Sequence, residues 1–262
     1  LRVIMKVSII TPCFNSFKTI RSTLDSLESR MYSNVEYIII DGGSTDGTLE
    51  IINEYSSIFT HIVSEPDLGL YDAINKGVDL SSGDVIGILN SDDFYPNRNV
   101  INRVVSTFLQ NADAKLVLGN VDFVDGSDLG VIVRHYSSFN FSPWKMRFGF
   151  MPAMPGTFIR RSVFNKIGKY KMGYKIAADF DFFVRSLIIY KLPYICINKT
   201  FVLMRIGGVS TSGMISYYVI TKEILRSLKE NKVYSNIFFV LIRLPIKFIQ
   251  TIHLKNFFRQ WF

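Results

Sequence analysis

This chain lacks long apolar runs. None of its segments reaches the roughly eighteen uninterrupted apolar residues of a membrane-spanning helix, although 48% of its 262 residues are hydrophobic. That fraction is apolar for a soluble protein and is a first hint of a membrane or partner surface. Cysteine is equally scarce. Cys13 and Cys196 stand far apart and in no metal-ligand spacing, which argues against a disulfide framework or a thiolate zinc site and for reduced thiols. The opening "LRVIMKVSIITP" has no secretory pattern, and Met5 suits a native start, so the expectation is a cytoplasmic protein. The stretch "TPCFNS" after the first apolar run contains no glycine. That is unlike a dinucleotide fold with its G-x-G-x-x-G, and unlike the Gly-rich basic loop of a nucleotidyltransferase. Most of the basic excess is confined to one end, with eight Lys/Arg against two acids between Lys222 and Phe262. The remainder is nearly neutral, so no nucleic-acid groove is expected across the main body.

What is present is an alternation of short apolar runs with amphipathic stretches. "KVSIITP", "VEYIII", "HIVSEP" and "DVIGILN" read as strands. Between and after them, Ile20, Leu24 and Leu27, then Leu49, Ile52 and Tyr55, then Tyr71, Ile74 and Val78, and finally Val104, Val105 and Phe108 mark helical faces. Strands this apolar, separated by helices, predict a parallel α/β sheet covered on both faces. Further on, "LVLGNVDFV" and "GVIVRHY" predict an antiparallel hairpin across "DGSD". "MPAMPGTFIRRSVF" predicts a loop, short strand and helix, and "KIAADFDFFVRSLIIY" a single helix.

Ligands of such sheets bind beyond the carboxyl ends of the strands. "TPCFN", "DGGSTDGT", "EPDLG" and "NSDD" all fall there, so four loops converge on one rim. In "GILNSDDFYP" two adjacent carboxylates, Asp92 and Asp93, end an apolar run. An isolated Asp-Asp is usually a solvated turn. Beside glycine-rich "DGGSTDGT" the pair instead suits a hard divalent cation that bridges phosphates.

Together "VSIITPCFN", "IIIDGGSTDGT", "SEPDLGLYDAINKG", "GDVIGILNSDD" and "AADFDFFVR" resemble glycosyltransferase family 2, inverting nucleotide-sugar enzymes of the GT-A fold. The resemblance runs from about residue 7 to about residue 211, and the order and spacing of its motifs make it specific. It implies a Rossmann-like, mostly parallel sheet flanked by helices, with residues 1–215 as catalytic domain. Of these, about 1–115 would bind nucleotide and about 116–215 acceptor. It further implies that Thr11, Pro12, Phe14 and Asn15 line the base pocket, with Asp41 bonded to a uracil-type base and Gly43 beside it. Asp67, Asn75 and Gly77 would border the donor sugar. Asn90, Ser91 and Asp92 would stand at the DxD position, with Asp93, or Asp92, holding Mn²⁺ or Mg²⁺. Asp179 matches the family's base and Asp181 is its near competitor. Arg185 and the loop residues Gly207, Gly208 and Ser210 would serve acceptor contact or closure.

Two departures stand out. Met154 or Pro155 replaces the histidine that many relatives carry before "xTF", and the QxxRW motif of processive synthases is absent. Addition of a single sugar is expected. The implied partners are a UDP-linked donor and a lipid-diphosphate-linked saccharide, as in surface-polysaccharide, O-antigen or capsule synthesis. Residues 216–262 read as a helical extension. Asn236, Arg243, Lys247 and Gln250 form a polar stripe among apolar residues, and Pro245 should kink it. Such a helix lies on an anionic membrane, on the inner face of the cell membrane, or else packs on the protein's own core or in a homodimer. The competing classes are another nucleotide-binding α/β enzyme and a non-catalytic membrane scaffold.

Overall fold

Alternate side chains of the first strands point to opposite faces of a sheet, and both faces are buried. In the computed structural model, which describes residues 5–29, 31–207 and 214–243, β1 (Val7–Cys13) is buried along its whole length. It pairs in parallel with β2 (Val35–Asp41) and β4 (Val85–Ile88), and β2 pairs in parallel with β3 (His61–Ser64). Ile9 and Ile39 enter one core with Leu24 of α1 (Ile20–Glu28), Ile52 of α2 (Thr48–Glu54) and Phe108 of α4 (Val100–Gln110). Ile10, Ile38 and Ile40 enter the other with Ile74 of α3 (Leu70–Leu80). The expected parallel unit and its helices are therefore present.

The second half extends the sheet in mixed sense. β7 (Thr157–Arg160) pairs antiparallel with β4 and with β5 (Leu116–Val124), and β5 forms the expected hairpin with β6 (Ile132–Tyr136). The resulting order is β3-β2-β1-β4-β7-β5-β6. A twelve-residue strand absent from the sequence reading, β8 (Tyr194–Arg205), runs parallel to β5. Its polar "NKT" breaks the alternation, and the pairing shifts register around Asn120.

Residues 175–190 do not form one helix. The structure has a short α6 (Ala178–Phe183) followed by a π-helical turn over Val184–Ile189, after α5 (Arg161–Ile167). The start is delayed because Glu223 of α7 (Met214–Glu230) captures the backbone N–H groups of Lys175, Ile176 and Ala177.

Within the described residues, the C-terminal extension packs on the catalytic body. Ile224 and Leu228 of α7 and Val240 of α8 (Ile237–Leu241) belong to the same core as Ile10. Asn236 is not on a headgroup stripe; it caps α8 by accepting from Phe239 N at 3.0 Å. Arg243, expected to face outward, is buried. Phe238 and Ile242 remain exposed. The rest of the proposed membrane segment, 244–262, and Gly208 and Ser210 lie outside the described residues. Among the described residues no helix is long and apolar enough to cross a membrane.

Candidate active site

The carboxyl-end loops are tied to one another by hydrogen bonds. Asn15 sits at φ 47°, donates its N–H to Ser44 Oγ (2.8 Å) and accepts from Thr45 N (3.0 Å). Ser16 Oγ lies 2.7 Å from Ser91 Oγ, joining the loop after β1 to the one after β4. Gly42 leaves room for Asp67, since a Cβ there would stand 2.7 Å from Asp67 Oδ2. The four loops thus share one rim, as the strand pattern predicts.

Asp41 knots this rim from beneath. Its Oδ2 accepts from the N–H groups of Gly43 (3.1 Å) and Ser44 (3.0 Å) and from Ser64 Oγ (2.7 Å), while Oδ1 takes Ser44 Oγ. Gly43 makes the turn at φ 86°, a region costly for other residues. Burial raises the pKa of Asp41, but these donors outweigh it and hold the acid below its ordinary range. The carboxylate is buried, and these bonds shape the loop that follows β2. Thr11 and Pro12 are also buried; Phe14 and Asn15 are the exposed members of that set.

The paired acids divide their roles. Asp93 is buried, and its Oδ2 accepts from Asn90 Nδ2 at 2.9 Å. Its Oδ1 and Asn90 Oδ1 are buried without a partner. Desolvation first, and then the neighbouring Asp92, drive the Asp93 pKa well upward. Asp92 is half-buried, and desolvation raises its pKa too. Arg205, at the end of β8, braces this turn by donating to the Asp92 carbonyl and to Ser22 Oγ, each at 2.7 Å. Its charge acts on both carboxylates. Among the described residues no group of three His, Cys, Asp or Glu could enclose an ion. The orphaned oxygens of Asn90 and Asp93 beside the Asp92 carboxylate nonetheless fit a hard cation that takes its other ligands from phosphates and water. Asp92 is the more accessible carboxylate of the two.

Asp179 opens α6 and is half-buried. It accepts from Phe180 N (2.7 Å) and Tyr71 Oη (3.3 Å), and Tyr71 in turn begins α3 directly after the Asp67 loop. Desolvation lifts its pKa to about 6 against those donors. Its neighbour in the motif has a different role. Asp181 is buried, with Oδ1 accepting from Lys171 Nζ (3.1 Å), Ser227 Oγ (3.1 Å) and Asn231 Nδ2 (2.9 Å), and Oδ2 accepting from Arg185 Nε (2.8 Å). Arg185 also donates to the Ile167 and Lys169 carbonyls. The pair is internal bracing and cannot meet an acceptor. Asn75 spends its amide on both backbone groups of Tyr170 (2.8 and 3.1 Å). At Gly77 a Cβ would lie 2.4 Å from Ile10, so that glycine serves helix–strand packing. Gly207, at φ 105°, ends the described part of its loop.

The sequence reading missed Arg205, Tyr71 and Glu223. Tyr71 lay inside a quoted motif and Arg205 in none, and only contacts across 108 and 113 residues give them a role. Glu223 had no motif to mark it.

The strand-end rim thus gathers four loops, and Asp179, a half-buried carboxylate of raised pKa, is linked through Tyr71 to the helix that follows one of them. A family model described as Glycosyl transferase family 2 matches residues 8–168, and the chain belongs to that family. A PGL/p-HBAD biosynthesis glycosyltransferase of Mycobacterium bovis is 29% identical over 224 residues, 84% of this chain and 83% of the relative. Glycosyltransferase AglE of Haloferax volcanii is 33% identical over 51% of this chain and 44% of its own. Among solved structures, S. aureus TarS 1–349 in complex with UDP-GlcNAc has a TM-score of 0.66 at 20% identity, covering 86% of this chain; this chain spans 66% of that one. The mannosyltransferase PcManGT from Pyrobaculum calidifontis, in complex with GDP-Man and Mn²⁺, has a TM-score of 0.64 at 13% identity, covering 97% of this chain and 74% of its own. The GT-A fold expected from the motifs is the fold observed, and the chain is a glycosyltransferase.

Proposed function

We propose that the chain is an inverting, divalent-cation-dependent transferase. It moves one sugar from a UDP-hexose or UDP-N-acetylhexosamine to a hydroxyl of a lipid-diphosphate-linked saccharide, in surface-polysaccharide synthesis at the inner face of the cell membrane. The observation that carries this reading is Asp179, a half-buried carboxylate with its pKa raised to about 6, tied through Tyr71 to the start of α3 directly after the Asp67 loop. A base poised near the working pH is ionised and still able to take a proton.

In this reading Phe14 and Asn15 receive the base, and Asp67 borders the donor sugar. Asp92, with the oxygens of Asn90 and Asp93 behind it, holds Mg²⁺ or Mn²⁺. The ion, when bound, offsets charge on the departing diphosphate. Arg205 adds a fixed positive charge on the same side. Asp179 accepts the proton of the acceptor hydroxyl, whose oxygen displaces the nucleotide from the opposite face of the anomeric carbon. The single displacement inverts configuration, and alignment of the two substrates supplies much of the acceleration. The relatives in complex with UDP-GlcNAc, and with GDP-Man and Mn²⁺, support the donor and cation assignments.

A donor screen against a synthetic lipid-diphosphate sugar, with product linkage and anomeric configuration read by NMR, tests the proposal. Transfer from a UDP-sugar with inversion is expected. Retention of configuration, or no transfer from any nucleotide-sugar, overturns it.

A further inference from the structure

Among the described residues, two arginines in the second half of the chain have no acidic partner. Arg134, on β6, lies over the Phe123 ring at 3.6 Å from its centroid, and its Nε is buried with nothing to bond. Arg243 is only 2% exposed. It donates from Nη2 to Thr221 Oγ1 at 2.9 Å, and its Nε is likewise buried without a partner among the described residues. Both guanidiniums lie near the same two phenols, Tyr136 and Tyr217, and among the described residues no carboxylate offsets either. A guanidinium withdrawn from water without an anion is unfavourable, so two around one pair of tyrosines mark a place where an anion binds.

A cavity of about 630 Å³ lies beside them: Arg243 Cδ packs against Gly149, between its lining residues Phe148 and Phe150, and Arg134 directly precedes its lining residues His135 and Tyr136. Its walls include Tyr136, Phe141, Trp144, Phe148, Met151 and Ile242, the last adjacent in sequence to Arg243. Ser138 also lines it, with a buried hydroxyl that lacks a partner. Tyr136 donates to the Met151 carbonyl at 2.5 Å and lies close enough to Asp179 to feel its charge. Base, anion site and cavity are therefore neighbours.

We propose that Arg134 and Arg243 bind the phosphate or diphosphate of the acceptor, whose apolar chain occupies this cavity while its sugar hydroxyl meets Asp179. The inference rests on the transferase reading and adds the acceptor's recognition to it. Two guanidiniums match a phosphate's multiple charge and oxygens, where a carboxylate would neutralise only one. The donor's phosphates are a poorer match, because Arg205, which faces Asp92 and Asp93, is the cation on that side.

The test is calorimetric titration of the full chain with farnesyl diphosphate, farnesol, inorganic diphosphate, and UDP with Mn²⁺. The wild type should bind farnesyl diphosphate at least about tenfold more tightly than either farnesol or inorganic diphosphate. Arg134→Gln and Arg243→Gln should each erase the preference over farnesol while UDP affinity stays within about twofold. If Arg243→Gln fails to fold, Arg134→Gln, at a half-buried site without hydrogen bonds to lose, carries the comparison. Equal binding of farnesyl diphosphate and farnesol, or a preference that survives Arg134→Gln, overturns the proposal. Equal binding of inorganic and farnesyl diphosphate overturns its lipid part. Loss of UDP affinity in the variants reassigns the arginines to the donor and also overturns it. Absence of UDP binding in the wild type refutes the transferase reading instead, so the two failures are distinguishable.

Discussion

Glu223 accepts the backbone N–H of Ala177 at 2.9 Å, two residues before Asp179. With its bonds to Lys175 and Ile176 it fixes the segment that delivers the base. Glu223→Gln keeps the shape but leaves one of these N–H groups facing another donor. We expect kcat to fall by about tenfold to a hundredfold with KM for the donor little changed, since donor contacts lie on other loops. Steady-state kinetics alongside a thermal melt check this. Loss of stability without the kcat-selective effect would reduce Glu223 to a structural role.

Asp179→Asn should retain donor binding and lose transfer by roughly a thousandfold or more. The wild-type rate should fall below pH about 6, where Asp179 becomes protonated. The stability effect has the opposite sign. Because the folded pKa is raised, the ionised carboxylate opposes folding above about pH 6, and that penalty disappears as pH falls below the ordinary value of 3.8. Asp179→Asn should therefore raise the melting temperature at pH 7.5, by the equivalent of about 1–3 kcal/mol, and not at pH 3.5. Paired pH–rate and pH–melting curves read both effects.

Far from the site, Glu36 gathers Lys6 Nζ (2.6 Å), Ser82 N (2.6 Å), Ser82 Oγ (2.7 Å) and Gly83 N (3.0 Å) around a buried carboxylate. Burial pushes its pKa up, yet these donors bring it down to about 2. Its contribution is present above the ordinary value of 4.5 and is lost as pH falls toward 2. Glu36→Gln should lower stability by about 2–3 kcal/mol at pH 7 and by much less near pH 2.5, measured by urea unfolding.

Gly77→Ala provides a check on the packing reading. A methyl 2.4 Å from Ile10 Cγ2 forces α3 away from β1. A loss of about 1–3 kcal/mol is expected, with UDP affinity in the surviving folded protein close to wild type. A selective loss of UDP affinity would restore Gly77 to the donor site.

The parallel half of the sheet and its rim were legible because their signal is local. β1, β2 and β4 are dominated by apolar residues, and each polar loop follows its strand directly. β8 was not legible, because its polar "NKT" and shifted register depend on pairing with β5. The neighbours Asp179 and Asp181 look interchangeable in "AADFDFF". Position on the first turn of α6 turns Asp181 inward to Lys171, Ser227, Asn231 and Arg185, leaving Asp179 beside Tyr71. Asn75 bonds the Tyr170 backbone, Gly77 meets Ile10 and Arg185 pairs with Asp181, and Arg243 reads as a surface cation yet is buried, because only tertiary contacts decide which way a side chain faces.

The central claim is that Asp92 and its rim hold a cation that a nucleotide's phosphates complete. Calorimetric titration of UDP with and without Mn²⁺, on wild type, Asp92→Asn and Asp93→Asn, tests it most directly. The account predicts Mn²⁺-dependent binding that weakens at least about tenfold in Asp92→Asn and only a few-fold in Asp93→Asn. UDP binding indifferent to Mn²⁺, or unchanged in Asp92→Asn, would contradict it.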